Sequence, residues 1–391
     1  MISISIVLRL LYFAFYGSGV MVSSFRNLYF QQQGLTAMHI GLIAALEPAV
    51  MLISQPYWGM TSDSYGRRRT LMMLIAISAF LTLGYLSPVN VWILAGLALV
   101  LSFFRSPTGP ILDSIVLDHL DESGGRFARF RLWGAVGWSL MALVVGQITE
   151  RYGMQSAFVS ASIGLSFVYL LLRRYIPPGE PNHFQDKASV GFRALLSNKV
   201  LVKFLFMAFM LQLSAASIPS MLPLYLKHLG ASHTTIGLAF TIEGISEIPF
   251  FLVADRIIAA WGIKPLLVTA IFAYSIRMVL YSFATTPLLA LLPQMLHGAC
   301  WAFFITATVN YINHQVPANL RSTGQTMFSA VFWGLGASAG NALGGVIFER
   351  LGPATMYRYQ GLFALGVALY AILVLPGPKT ESLGEGIDTT T

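Results

Sequence analysis

The sequence is poor in charged residues. Only 10% of its 391 residues are charged, against roughly 25% in ordinary soluble domains, while 56% are apolar. A soluble protein of this length could not cover its surface with so few polar side chains, whereas a bilayer solvates apolar side chains directly. The shortage of charge therefore argues against a soluble domain and predicts a membrane protein.

Cysteine is scarcer still. Cys300 is the single cysteine, which excludes an intramolecular disulfide and a Cys-based metal site. The chain has neither a sizeable soluble segment nor His, Asp and Glu at metal-binding spacing, so we predict no enzyme, no metal and no cofactor. The N-terminus has no basic segment before Arg9 and no small-residue cleavage site, which argues against a signal peptide.

The net charge of +8 raises the possibility of a nucleic-acid partner. The Lys and Arg residues, however, lie between apolar runs, mostly in every second gap, and no basic patch is interleaved with aromatic residues. This pattern is typical of membrane topology, in which Lys and Arg collect in cytoplasmic loops. We expect no nucleic-acid partner.

Two stretches of the chain repeat each other. Residues 28–47 and 224–243 align without a gap at an offset of 196, and Leu-Trp-Gly at 132–134 matches Phe-Trp-Gly at 332–334. So long a repeat indicates duplication of a whole half, which in a membrane chain is typical of a transporter with its site between the halves. The identical pairs are Leu28/Leu224, Tyr29/Tyr225, Gly34/Gly230, Ile40/Ile236, Gly41/Gly237, Leu42/Leu238 and Glu47/Glu243.

Twelve apolar stretches are long enough to cross a membrane, which takes about 20 residues each. Gly and Pro are frequent inside them, as in closely packed and kinked membrane helices. We therefore predict an all-α membrane protein of two pseudo-symmetric six-helix halves. The predicted spans are 4–27, 39–58, 70–87, 91–117, 131–150, 155–174, 201–226, 233–254, 264–284, 288–314, 323–348 and 357–376.

Loop charge predicts the orientation. Alternate loops hold most of the Lys and Arg, and the others hold only Arg151, Lys227, Arg350 and Arg358. The positive-inside rule places the basic loops and both termini in the cytoplasm of a cell with the chain in its inner, cytoplasmic membrane. The predicted domains are residues 1–175, a cytoplasmic linker at 176–200, residues 201–376, and a polar tail at 377–391.

The loop after the second predicted span has the pattern of a tight turn. Gly59 would allow a close approach to a neighbouring helix, and Gly66 can adopt a positive φ. Asp63 can bind backbone N–H groups or pair with an arginine. A basic loop that only obeys the topology rule is the alternative interpretation.

The loop pattern G-x-x-x-D-x-x-G-R-R resembles the signature loop of the major facilitator superfamily, and with the twelve spans and the repeat the resemblance covers nearly the whole chain. In that family the loop closes the cytoplasmic side when the site faces outward, which implies the same role here. Ser64 departs from the family's Arg or Lys, and the second copy is reduced to Asp255-Arg256 with Gly262 and Lys264. The implied gate residues are Gly59, Asp63, Gly66, Arg67 and Arg68.

Several charges lie inside the predicted spans, where each is a functional candidate because burial in lipid is costly. Arg9 and Arg26 lie near the ends of the first span, where snorkelling to the membrane surface is the simpler interpretation. Arg105 and Asp113 are eight residues apart, on roughly one face of a helix. Buried ion pairs that only hold helices in register remain the structural alternative.

Residues 125–138, GRFARFRLWGAVGW, resemble the start of the fifth helix in the lactose permease branch and its phenylpropionate permease and nucleoside symporter relatives. The resemblance implies a substrate-binding arginine at Arg131, its partner carboxylate at Asp113, and at Trp138 an indole that stacks on a sugar ring. The chemistry is suitable, because a guanidinium forks onto paired hydroxyls or a carboxylate and an indole offers an apolar plate. Ordinary packing of Trp138 is the alternative.

The second half resembles the same branch in part. The resemblance implies a buried arginine at Arg277 and a histidine at His297, both near the substrate, and a carboxylate at Glu243 or Glu247. The family's lysine is replaced by Gln294 and its proton-carrying glutamate by Cys300. A thiol in apolar surroundings stays protonated, so the family's proton relay cannot be copied whole.

The sequence thus predicts a monomeric secondary transporter working by alternating access, as a proton symporter of a small polar solute. A sugar or oligosaccharide is favoured, and an aromatic acid or nucleoside is the alternative. Proton coupling would rest on Glu247, Glu243 or Asp113, in that order, with His297. An exporter of the same fold and a facilitator without proton coupling also remain open, the latter because of Cys300.

Overall fold

The computed structural model describes residues 3–87, 90–123, 127–177, 195–317 and 320–376. Most of the predicted linker (178–194) and all of the predicted tail (377–391) lie outside these residues. All twelve predicted spans are helical and long enough to cross a membrane. In chain order, α1 to α12 are Ile4–Gln32, Ala37–Tyr65, Arg67–Leu86, Val91–Leu120, Arg129–Tyr152, Gln155–Tyr175, Lys199–His228, His233–Trp261, Ile263–Tyr281, Pro287–Gln315, Thr323–Leu351 and Pro353–Val374.

Four of these helices are irregular within the membrane. α4 is interrupted at Ser106 and Pro107, and α7 divides at Ala216, three residues before Pro219. α10 contains a 3₁₀ segment at Leu292–Leu296, and α11 a π-helical segment at Ala330–Gly336. Proline removes a backbone donor, which accounts for α4 and α7, while π-helical segments are frequent at functional sites. Regular α-helical geometry is therefore interrupted within these four helices.

The sequence repeat reappears as a repeat of contacts. The Tyr29 hydroxyl donates to the carbonyl of Tyr85 at 3.0 Å, and the Tyr225 hydroxyl donates to the carbonyl of Tyr281 at 2.7 Å. Each tyrosine of the first pair lies 196 positions before its counterpart in the second pair. α2 and α8 also begin alike, with the side chains of Thr36 and Ser232 accepting from the helix's first turn. The two halves are therefore structural copies.

The halves meet most closely through pairs of glycines. A Cβ on Gly41 of α2 would lie 2.7 Å from the Cα of Gly345 in α11. Its repeat partner is equally confined, because a Cβ on Gly237 of α8 would lie 3.0 Å from the Cα of Gly146 in α5. Both contacts lie where α2 and α8 begin and α5 and α11 end, which we call the far end. The repeated glycines thus allow two helix pairs to approach at backbone distance.

Two carboxylates join the halves at the same far end. Glu349 of α11 accepts from the backbone N–H of Ala37, at the start of α2, with its Oε2 at 2.9 Å. Glu150 of α5 accepts from the N–H groups of His233 and Thr234, at the start of α8, at 2.6 and 3.3 Å. Each carboxylate caps the positive end of a helix that belongs to the opposite half. The far end is therefore held shut by two quasi-symmetric caps.

The opposite end, where the Arg67–Arg69 loop lies, is called the basic end. The polar contacts of the Arg67–Arg69 loop and of Lys264 at this end stay within one half, and the segments Thr108–Ser123 and Arg321–Ser329 pack against helices of their own half. Arg131, three residues into α5 at this end, keeps 48% of its side chain exposed. The space between the halves is therefore closed at the far end and open at the basic end.

Candidate functional site

A cluster in the first half joins α1, α4 and α5. The Tyr12 hydroxyl donates to Asp113 Oδ1, and Arg131 donates to the Tyr16 hydroxyl. Arg131 Nη1 also lies 3.9 Å from Asp113 Oδ2, and its guanidinium lies 5.2 Å from the Tyr16 ring centroid. The predicted pair of Asp113 and Arg131 is thus formed. Two tyrosines of α1 hold it in place, one for each member.

The pair lies nearer the basic end than the predicted tryptophan. Arg131 and Trp138 are seven residues apart on α5, which corresponds to about 10 Å along a helix. Trp138 is half-buried between the halves, with its Cδ1 atom 3.3 Å from the position of a Cβ on Gly244 in α8 and its Cζ3 atom 3.7 Å from that of Gly19 in α1. The indole therefore lies deep in the space between the halves, and Arg131 near its mouth.

A second cluster lies in the other half, centred on Arg277 of α9. This residue is 2% exposed and donates to Gln294 Oε1 and, at 2.8 Å, to His297 Nδ1. Its Nη2 atom lies 3.9 Å from Glu243 Oε2. Cys300 is fully buried on α10 near the guanidinium. The position where the resembling family has lysine is thus used by Gln294 to hold the arginine.

The hydrogen bonds determine the state of His297. Because a guanidinium only donates, Nδ1 of His297 must be the acceptor of its bond to Arg277. A neutral imidazole then carries its proton on Nε2, which donates to Glu247 Oε1 at 3.0 Å. Glu243 Oε1 lies farther from the same nitrogen, at 3.8 Å. The cluster is therefore a directed chain from Arg277 through neutral His297 to Glu247.

The two clusters face each other across the space between the halves. Arg131 of the first half is close enough to Glu247 of the second for their charges to attract. Glu247 retains 21% of its side-chain exposure and Glu243 retains 14%. A solute in this space would touch both halves, as alternating access requires. The structure thus brings together the predicted residues Asp113, Arg131, Trp138, Glu243, Glu247, Arg277 and His297.

Arg26 lies in a different environment from the membrane surface that was predicted for it. Arg26 does not snorkel: its guanidinium binds both carboxylate oxygens of Glu47, at 2.5 and 2.9 Å, and is 15% exposed. Pairing replaces snorkelling because Glu47 of α2 lies beside α1 at this depth. Glu47 and Glu243 are repeat partners with different contacts. Glu47 pairs with Arg26 of the neighbouring helix, whereas Glu243 belongs to the Arg277 cluster.

The loop after α2 contacts only its own half. Arg67 pairs with Asp118 of α4 and lies 3.9 Å from Asp63, while Arg68 donates to the carbonyls of Leu172 and Arg173 at the end of α6. The φ of Gly66 is +93°, as predicted. The prediction for Gly59 is wrong, because a Cβ there would meet nothing within 4 Å. With the basic end open, no partner helix has closed onto this position.

The second copy of this loop keeps the same local structure with fewer of the motif residues. Gly262, the repeat partner of Gly66, has a φ of +90°. Lys264, the repeat partner of Arg68, donates to the carbonyl of Ile372 near the end of α12 at 2.7 Å. The eroded sequence therefore retains the turn and the cation that binds the end of a neighbouring helix.

Sequence reasoning missed three members of the site: Tyr12, Tyr16 and Gln294. No motif marks the two tyrosines, although their spacing of four residues places both on one face of α1. The sequence shows Gln294 only as a replaced lysine, whereas in the structure it accepts from Arg277. Among the described residues, no group of three or more His, Cys, Asp or Glu could hold a metal ion.

Comparisons with known proteins agree with this architecture. The family model described as "MFS_1 like family" matches residues 5–359. The chain belongs to this family. It is therefore a multi-pass secondary transporter of the membrane and not an enzyme.

Individual relatives match along nearly their whole length. The chain is 29% identical over 366 residues to the maltose permease of Geobacillus stearothermophilus, covering 92% of this chain and 91% of the permease. It is 28% identical over 363 residues to the uncharacterized transporter YwbF of Bacillus subtilis, covering 92% and 90%. The crystal structure of the nucleoside transporter NupG superposes with a TM-score of 0.82 at 18% identity, covering 95% and 98%, which shows a shared fold.

Proposed function

We propose that this transporter is a proton symporter that takes up a small polar solute, with a sugar or oligosaccharide favoured, by alternating access. Solute would bind between the halves, touching Asp113, Arg131 and Trp138 on one side and Arg277 and His297 on the other. The proton would be carried mainly by Glu247. No cofactor is required, because the proton gradient supplies the driving force.

The observation that carries this proposal is the partner of Glu247. Its nearest ion-pairing group is a neutral imidazole at 3.0 Å, and no arginine or lysine of the described residues lies within 4.0 Å of it. Arg277 is occupied by Gln294 and His297 and approaches Glu243 instead. Glu247 is thus a carboxylate at the middle of α8 that has no Arg or Lys of the described residues in ion-pair contact. It has to be neutralised before closure of the basic end can bury it, and a proton does this.

Alternating access is supported by the arrangement of the halves. The space between them is open at the basic end, and the glycine contacts and carboxylate caps at the far end are quasi-symmetric. Rocking of two similar halves about the site between them would open the far end and close the basic end. The loop of Gly59, Asp63, Gly66, Arg67 and Arg68 would then meet the second half and latch the closed basic end.

Trp138 and the comparisons support a sugar. An indole face between the halves can stack on the apolar C–H face of a pyranose, and Arg131 with Asp113 offers donors and acceptors for hydroxyl groups. The maltose permease, at 29% identity, is named for a sugar. The distance of about 10 Å between Arg131 and Trp138 along α5 gives the site an elongated shape that suits more than one ring.

Loop charge supports the orientation. The basic end, with the Arg67–Arg69 loop and both ends of the described chain, would face the cytoplasm of a cell with this protein in its cytoplasmic membrane. The space between the halves is then open inward in this structure. Each half contacts the other within one chain, so a monomer suffices for the proposed cycle.

The proposal is tested by uptake into proteoliposomes under an imposed inward proton gradient. The panel comprises oligosaccharides, monosaccharides, nucleosides and aromatic acids, and vesicle sidedness separates uptake from export. We expect gradient-driven accumulation of a sugar by the native protein. An aromatic acid or a nucleoside accumulating instead would retain the mechanism and overturn the substrate. Equilibration that ignores the gradient would mean that the carrier is a facilitator.

Two glutamine variants locate the proton. Glu247→Gln should lose accumulation against a gradient while keeping exchange of labelled for unlabelled solute, because the neutral amide imitates the protonated acid. Glu243→Gln, one turn away, should keep at least part of the accumulation. Normal gradient-driven uptake by Glu247→Gln would sink the assignment and direct the search to Glu243 and then to Asp113.

A further inference from the structure

Arg105 is an interior cation without a carboxylate partner among the described residues. It ends the first segment of α4, Val91–Arg105, near the midpoint of the membrane span. Its guanidinium lies 5.6 Å from the ring centroid of Phe15, and its Nη1 atom is buried without a hydrogen-bond partner. None of the carboxylates in the described part of the chain lies within 4.0 Å of it. A desolvated guanidinium in this state is costly for the protein to maintain.

The carbonyl groups near the interruption of α4 do not bind Arg105. The carbonyl of Phe103 accepts from Ser54 Oγ, and the carbonyl of Ser106 accepts from the Gln55 amide at 3.2 Å. Both of these donors belong to α2. The carbonyl of Arg105 itself accepts from Thr108 Oγ1. The helix end is thus satisfied by side chains other than Arg105, so capping does not explain this cation.

Arg105 lies beside Trp138, the residue predicted to stack on a sugar ring. A Cβ on Gly19 of α1 would lie 3.3 Å from Arg105 Nη2 and 3.7 Å from Trp138 Cζ3. Even a single carbon at Gly19 would be crowded, so the guanidinium and the indole both pack against the bare backbone of Gly19. Arg105 and Trp138 are each half-buried, and their exposed parts lie close enough together for one solute to contact a cation and an aromatic ring.

The interior charges can be matched in pairs. Arg26 is paired with Glu47, Arg131 with Asp113, and Arg277 approaches Glu243. Of the described interior charges at this depth, Arg105 and Glu247 are left over, one in each half. When Glu247 takes up a proton, the site therefore has one uncompensated positive charge. A solute with a single negative charge would restore neutrality.

We propose that Arg105, Gly19 and Trp138 form a subsite for the carboxylate of an acidic sugar of the uronic acid class. This inference rests on the proposed function, because it assumes that the space between the halves holds the transported solute. A carboxylate fits better than a phosphate ester, which carries about −1.5 to −2 charges at neutral pH and would exceed the single free cation. A guanidinium can hold a carboxylate through two parallel hydrogen bonds, while the ring carbons stack on the indole.

Binding to the purified full-length protein tests the subsite directly. The probes are glucuronate and galacturonate, each compared with its neutral parent, glucose or galactose, and the readout is ligand-induced thermal stabilisation over a concentration series. We expect at least one acid to bind 10-fold or more tightly than its parent. A neutral parent that binds equally or more tightly, or the absence of binding by both acids, would overturn the proposal.

Variants separate recognition from a structural role. Arg105→Gln should weaken binding of the acid at least 10-fold and that of the neutral parent by less than 2-fold, and Arg105→Lys should recover part of the loss. Arg9→Gln is the matched control, because Arg9 also lies over an aromatic ring, at 5.9 Å from the Phe130 centroid, but near the basic end of α1. Equal losses for acid and parent in Arg105→Gln would show that Arg105 only supports the fold.

The results distinguish failure of the subsite proposal from failure of the proposed proton symport. Gradient-driven accumulation of a neutral sugar, without preference for its acid, would uphold proton symport and overturn the subsite. Selective binding of an acid by the native protein, with no gradient-driven uptake of it, would uphold the subsite and overturn symport.

Discussion

The two carboxylates that close the far end offer the sharpest test of the conformational cycle. Glu150 and Glu349 each accept backbone N–H bonds from the first turn of a helix in the other half. We predict that replacing both by glutamine shifts the protein toward a form that is open at the far end. Glutamine keeps the size and an acceptor oxygen, so the change removes the charge and little else.

The magnitude follows from the geometry of the caps. A hydrogen bond to a charged group contributes about 1.5–3 kcal/mol, against about 0.5–1.5 kcal/mol for a neutral one, so each substitution costs about 1–1.5 kcal/mol. A loss of this size agrees with the interaction of a carboxylate with a helix N-terminus. The caps share no residue, so their effects should add to about 2–3 kcal/mol. The ratio of open to closed forms should rise roughly 30- to 150-fold.

Thiol labelling measures this shift. Cys300 is replaced by serine, and Ser220, which is 8% exposed and binds Asn341 at the contact between α7 and α11, is replaced by cysteine as the reporter. In detergent both ends are accessible, so the labelling rate with a polar maleimide reports opening. The rate should rise in each single variant and most in the double variant.

The control is Asp118→Asn, which removes a carboxylate that pairs with Arg67 inside one half at the basic end. This variant should not raise the labelling rate of the reporter. A folded double variant of Glu150 and Glu349 that labels at the native rate would refute the assignment of the two caps as the far-end lock.

Three further changes test packing and pairing. Gly237→Val should open the far end and reduce transport strongly, because even a Cβ would lie 2.3 Å from the carbonyl oxygen of Ala142. The labelling rate of the reporter cysteine measures the opening, and solute uptake measures the loss of transport. Arg26→Gln should destabilise the protein by about 3–5 kcal/mol, because it leaves the Glu47 carboxylate uncompensated. Adding Glu47→Gln to the same chain should restore most of the lost melting temperature. A double variant with no such recovery would contradict the pairing. Tyr225→Phe should cost about 1–3 kcal/mol in thermal unfolding, because it removes a buried hydroxyl whose single proton is shared by the carbonyls of Tyr281 and Ala284, and an unchanged melting temperature would contradict this.

Much of the fold could be predicted from the sequence because its causes are local. A membrane helix needs a run of apolar residues, and the ends of such runs are marked by residues such as Thr36 and Ser232, whose side chains cap the helices that follow. The repeat of residues 28–47 in 224–243 predicted two similar halves. The hydroxyls of Tyr29 and Tyr225 make equivalent hydrogen bonds, so the repeated residues have the same physical role in each half. The family resemblance also predicted roles for Asp113, Arg131 and Arg277.

The partners of the interior charges could not be predicted in the same way. Glu243 and Glu247 are one helical turn apart, so both face the same neighbour, and only the position of α10 decides that Glu247 is the one bonded to His297. Arg26 could reach the membrane surface or Glu47 with similar ease, and the packing of α2 against α1 selects the carboxylate.

By itself, the sequence determined the apolar spans, their number, the duplicated halves and the types of charge available inside the membrane. Tertiary structure alone decided which charges meet, that Arg105 and Glu247 are left without a charged partner of opposite sign among the described residues, and that the far end is the closed one. The reason is one of range. Helix formation in lipid depends on neighbouring residues, whereas an ion pair depends on the relative depth and rotation of helices separated by tens to hundreds of residues.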